Sequence, residues 1–165
     1  MTTISSSENP AVHYVSDDPV TVFAARQLAD YLRRMHDVPI DIIPHPHWQP
    51  QSGGIWLGIP AEIPDNLPTE LRSACDAGAD GIAVSVEAGS GYVIGTNPRS
   101  ILFAVYRYLE ALGCRWLWPG KDGERIPSAS WRQHDLVEFV EIPDARHRVM
   151  CIEGACSLDH CRDMI

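Results

Sequence analysis

Apolar and polar positions recur along the chain with two different periods, and those periods predict its elements. Val20, Ala24, Leu28, Tyr31 and Met35 follow one another at steps of four, four, three and four, which is one face of a helix, while Arg26, Asp30, Arg33 and Arg34 fall off it. Asp18 ahead of Pro19 supplies the start, because its side-chain oxygen can accept an orphan N–H and proline needs no donor in the first turn. A helix is therefore predicted from Pro19 to His36 or Asp37, ahead of Pro39. A second helix opens with Asn97 as cap and Pro98 in the first turn. It carries Ile101, Leu102, Val105, Tyr108, Leu109 and Leu112 as a broad stripe and stops at Gly113. Residues 69–77 fit two further helical turns, capped by Thr69 and ended by Gly78.

Between the helices the texture is that of strands. Residues 11–15, 40–43 and 55–59 are short apolar or alternating runs, and 45–54 is a loop by its Pro and Gly content. Residues 81–87 and 91–95 form a hairpin across Ala88, Gly89 and Ser90, and 114–118 return as a strand. In 135–141 apolar and charged residues alternate, as in a strand with one wet face. Two amphipathic helices with one stripe each need a common sheet face. The expected fold is thus an α+β two-layer sandwich, a mixed β-sheet with two main amphipathic helices on one face.

Residues 1–10 read as a disordered N-terminus and 11–142 as the sandwich domain. After Pro143 a buried strand and a helix capped by Ser157 are expected within 143–165, half of a βα unit and hence the start of a following domain cut short.

Composition narrows the partners. In 165 residues, 13 Lys and Arg face 22 Asp and Glu, a formal charge of −9, with no basic run. Such a chain repels phosphate backbones, which argues against nucleic acid and anionic membrane. No apolar stretch approaches the ~20 residues of a membrane span, and the first residues lack the charged start and apolar centre of a signal peptide. Five cysteines at irregular spacing fit a reducing compartment, so a cytoplasmic location is expected.

The run Asn97-Pro98-Arg99-Ser100-Ile101-Leu102-Phe103-Ala104-Val105-Tyr106-Arg107-Tyr108-Leu109-Glu110-Ala111-Leu112-Gly113-Cys114-Arg115-Trp116 is similar to the second helix of the N-terminal domain that precedes the catalytic barrel in alpha-glucuronidases and beta-N-acetylhexosaminidases. Asp80-Gly81-Ile82 and Gly91-Tyr92-Val93-Ile94-Gly95 resemble that domain's hairpin, and Pro119-Gly120-Lys121-Asp122-Gly123-Glu124 its exit loop. The resemblance covers about residues 11–142 and departs from the family at Ser100, where a glycine is usual. It implies a hexosaminidase domain 2-like accessory domain without catalytic residues or cofactor, whose partner is its own C-terminal (β/α)8 barrel. The parent would then be a glycoside hydrolase. Arg148 and Glu153 match positions at the two ends of the first barrel strand, which implies contact with substrate in the full-length protein.

Other chemistry is weaker. Glycoside hydrolysis needs two carboxyl groups ~5–9.5 Å apart across a cleft. Asp17 and Asp18 read instead as a helix cap, and Glu138 and Glu141 as solvated strand positions. Cys151, Cys156, His160 and Cys161 offer soft ligands but lack C-x₂-C spacing, so no metal is expected there, and the same residues are the basis of an alternative metal or redox reading. His45 and His47 read as a solvated loop. A further alternative is a carbohydrate-binding module that stacks Trp48, Trp56, Trp118 or Trp131 on sugar rings.

Overall fold

The computed structural model describes residues 10–49, 53–63, 67–129 and 136–145. Strand β1 (Ala11–Tyr14) leads into helix α1 (Pro19–His36), then strands β2 (Asp41–Pro44) and β3 (Ile55–Gly58) and helix α2 (Thr69–Asp76). The hairpin β4 (Ile82–Glu87) and β5 (Ser90–Gly95) precedes helix α3 (Pro98–Ala111), short strands β6 (Arg115–Trp116) and β7 (Glu124–Arg125), and β8 (Val137–Glu141). Six strands form one mixed sheet in the order β2-β1-β3-β5-β4-β8. The four strands β2, β1, β3 and β5 are mutually parallel, and β4 runs antiparallel to both β5 and β8.

Helices α1 and α3 cover one face, as their stripes require. Val12, Ile55, Leu57, Val84, Val86 and Val93 point into a core closed by Leu28, Leu32, Met35, Ile101, Val105, Tyr108 and Leu109. Each helix begins at its expected cap: Asp18 accepts from the Val20 amide at 2.8 Å and Asn97 from the Ser100 amide at 3.0 Å. Helix α1 ends where Asp37 turns left-handed at φ 52°, and the Arg33 Nε reaches on to the Ile40 carbonyl at 3.1 Å. The chain is an α+β sandwich, and its two main helices share one sheet face.

Two expectations need correction. Thr69 does not cap α2: Pro68 holds the cap position, without a side-chain bond, and Thr69 is the first helical residue. This helix lies on the opposite face. Leu71 joins Ile63 and Leu67 in a second, smaller core over Ala83 and Ile94, which alternate with the first core's Val84 and Val93. Residues 114–118 do not add to the main sheet either. Only Arg115 and Trp116 are extended, and they pair with Glu124 and Arg125 in a separate two-stranded ribbon. The expected strand and helix of 146–165 lie outside the described residues.

Candidate functional site

Two surfaces outside the main core gather the chain's aromatic and titratable side chains. The first is on the second sheet face, where the register lines up Glu138, Ser85, Tyr92, Trp56 and His13 across β8, β4, β5, β3 and β1. Period-two alternation forces this row, since each residue's sequence neighbours point into the helix-covered core. Ser85 Oγ donates to Glu138 Oε1 at 3.3 Å. Burial raises the Tyr92 phenol's pKa, the charge of Glu138 adds to this, and hydrogen bonding with the Ser85 side chain partly offsets it.

At the other end of the row His13, only 4% exposed, stacks on Trp56 with centroids 4.6 Å apart and planes 18° from parallel. Its Nδ1 lies 2.9 Å from Nε2 of His45, just past the end of β2, and Trp48 packs against the same indole, with centroids 5.0 Å apart and planes tilted by 52°. Burial, and secondarily the proximity of His45, pushes the His13 imidazole down to about 4. The Trp56 indole N–H donates to the Gly53 carbonyl at 3.1 Å. Gly54 has to be glycine: at φ 73° a β-carbon would sit 2.6 Å from the Ala11 carbonyl oxygen and 2.7 Å from His13 Nε2.

The second surface lies outside the helix layer. Both α1 and α3 follow parallel strands on one face and so run in the same direction, and the Tyr106 hydroxyl donates to Gln27 Oε1 at 3.1 Å, which fixes their level. Phe23 precedes Gln27 by one turn and Phe103 precedes Tyr106 by one turn. The two phenyl groups therefore stand at one level, 48% and 41% exposed, with Val20 beside them on α1. Toward the other end of the helices, Trp116 packs edge-on against Tyr31 and Tyr106, and Leu117 and Trp118 project beyond it.

The ribbon that carries these tryptophans is pinned to α1 by a closed network. The Trp116 indole donates to the Tyr31 hydroxyl at 2.7 Å, and that hydroxyl donates to Glu124 Oε1 at 2.7 Å. The other Glu124 oxygen pairs with Arg34. Burial alone would raise the Glu124 carboxyl's pKa; hydrogen bonds from Arg34 and Tyr31 outweigh it and hold the group below the usual carboxylate range. Burial lifts the Tyr31 phenol to about 12.

The candidate residues distribute unevenly over this frame. Asp18 caps α1, and Glu141 pairs with Arg107 of α3, so neither belongs to a carboxylate pair across a cleft. Trp56 is 2% exposed and buried against His13, which removes it as a sugar platform. Trp48 is half-buried, and Trp118 is 51% exposed beneath the Arg125 guanidinium. Trp131, Arg148, Glu153, Cys151, Cys156, His160 and Cys161 lie outside the described residues. Among the described residues no group of three or more His, Cys, Asp and Glu side chains is placed to hold a metal ion. Burial raises the Cys114 thiol to about 11, so it is a weak nucleophile. The imidazole pair escaped the sequence reading. His13 sits in a predicted strand and His45 in a predicted loop, and only parallel pairing of β1 with β2 brings them together.

No family model matches the chain, and no curated protein is similar to it. Among the described residues no helix is long and apolar enough to cross a membrane.

Proposed function

We propose that this chain is the non-catalytic N-terminal domain of a carbohydrate-active enzyme of the glycoside hydrolase kind, and that its helix layer seats against a catalytic barrel. The observation that carries the reading is two groups of exposed apolar side chains on the helix side, Val20, Phe23 and Phe103 at one end and Trp116, Leu117 and Trp118 toward the other. Exposed apolar side chains gathered into patches fit a docking face, whereas single ones are ordinary. The order of elements and the resemblance of 97–116 to the accessory helix support a catalytic barrel as the partner. Arg148 and Glu153 would then reach substrate from the barrel's first strand, and the sugar would bind there.

The reading frame beyond Ile165 tests this directly. Several hundred further residues in strand–helix alternation are expected, and a frame that closes at Ile165 overturns the proposal. So does turnover of aryl-glucuronides or aryl-hexosaminides by these 165 residues alone. A second reading, a sugar-binding module, draws on the exposed Trp118, whose ring carries the Arg125 guanidinium over one face. Titration with oligosaccharides separates the two. Quenching or a blue shift of tryptophan emission that Trp118→Ala abolishes favours binding, and an unchanged spectrum favours the accessory domain.

A further inference from the structure

The second sheet face carries a device that the accessory-domain reading neither uses nor requires. His13 is buried and His45 half-buried, and their bond requires that at least one of the two facing ring nitrogens be unprotonated to accept; the pair ties β1 to the loop that follows β2. His13 belongs to β1 in the middle of the parallel strands, whereas His45 starts the loop that leaves the edge strand β2. The His45 amide donates to the Tyr14 carbonyl at 2.8 Å, continuing the β1–β2 ladder by one bond, and the ring pairing then fixes the direction in which the loop departs. Both imidazoles lie against Trp56, whose centroid is 4.6 Å from that of His13 and 4.7 Å from that of His45. Trp48, three residues further along the loop, closes over the same indole.

We propose that His13 and His45 form an acid-sensitive latch that holds the loop after β2, with Trp48, against the second face of the sheet. In the docked state one ring donates and the other accepts. Two imidazolium ions cannot share that bond, and their ring nitrogens would face each other as like charges with His13 buried and His45 half-buried. Among the described residues no carboxylate is paired with either ring. The residues in register with His13 are Ile43 of β2 and Trp56 of β3, and Gly54 closes the remaining side. Among the described residues, His45 is the titratable group whose charge acts on His13.

The sign follows from the two states. Docked, His13 is held down to about 4; undocked and solvated it returns toward the ordinary 6.5, so the open form takes up the proton first as pH falls. Docking is complete above about 6.5 and weakens progressively toward 4, with opening made easier by up to about two orders of magnitude across that window.

The test is amide hydrogen exchange on the intact chain, with tryptophan emission recorded alongside, from pH 7.5 down to 4.5. After correction for the intrinsic pH dependence of exchange, faster exchange confined to about residues 41–49 is expected, together with a red shift as Trp48 and Trp56 become wet. His45→Gln keeps a hydrogen-bonding side chain whose oxygen accepts from His13 in either charge state, and although the burial of His13 remains, it should reduce the acid-induced gain severalfold. A gain of the same size and midpoint in His45→Gln overturns the latch, and so does exchange that rises in all elements together. Independently of any variant, the His13 ring protons followed by NMR in the unmodified chain should titrate below about pH 5; titration near 6.5 overturns it.

Discussion

At the scale of single residues, the contact between the end of β5 and the start of α3 decides how the helix layer sits. A β-carbon at Gly95 would lie 2.3 Å from the Ile101 amide nitrogen and 2.4 Å from the Ser100 carbonyl carbon, so the strand and the helix backbone touch there. The close approach is met by Gly95, and Ser100 is fully buried beside it. Its hydroxyl donates to Asp80 Oδ1 at 3.2 Å and lies 3.3 Å from the Thr96 hydroxyl. The same carboxylate accepts from Asn97 Nδ2 at 2.9 Å and from Arg99, which holds the Asp80 pKa down. Ser100→Ala should therefore cost about 1 kcal/mol, one hydrogen bond lost without a clash. Gly95→Ala has no rotamer that relieves it and should cost more, about 1–3 kcal/mol, by forcing backbone apart. Urea midpoints of the two variants check the order; equal losses would mean that the contact yields.

At the scale of elements, legibility in the sequence follows how local the causes are. Helices α1 and α3 were readable in full because period, cap and stop all lie within the segment, and tertiary packing only confirms them. The alternation of 137–141 likewise revealed a half-wet strand, although not its pairing with β4. The ribbon was not readable. Two residues on each side make no pattern, and what extends them is the long-range network through Tyr31, Glu124 and Arg34. Helix α2 was placed in the chain but not on a face, since eight residues with Leu71 and Ala74 as the buried pair do not specify which side of a sheet they meet. The latch shows the same limit, its two rings being 32 positions apart. Tyr31→Phe isolates the ribbon's anchor. It removes one acceptor for Trp116 and one donor to Glu124 while leaving the ring in place, so a loss of about 1–3 kcal/mol in global stability is expected. Emission from Trp116 should shift red at denaturant concentrations where α1 and α3 are still helical by circular dichroism. Coincident transitions would show that the ribbon and the helix layer melt as one unit.

At the scale of the whole molecule, the sheet divides the surface into two sides of different character, and each side has its own expected behaviour. The helix side is apolar at its outer ends. Its ion pairs include Arg34–Glu124 and Arg107–Glu141, and both of these carboxyl groups are held below their usual range, so the two pairs persist until acid conditions protonate them. The sheet side is polar and aromatic, and it responds near pH 4 to 6.5 through His13. If the helix side is a docking face, then leaving it bare should make these 165 residues associate with themselves despite a charge of −9, because screening in ordinary salt shortens the repulsion to about 8–10 Å. Phe23→Glu combined with Leu117→Glu tests that without touching the core, both side chains being exposed. Sedimentation velocity across a hundredfold range of concentration should show self-association in the original chain and a monomer in the double variant, with the unfolding midpoint changed by no more than about 0.5 kcal/mol per site. A chain that is already monomeric at the highest concentration would mean that the two patches are too broken by polar neighbours to bind, and the docking face would have to be sought on the ribbon alone.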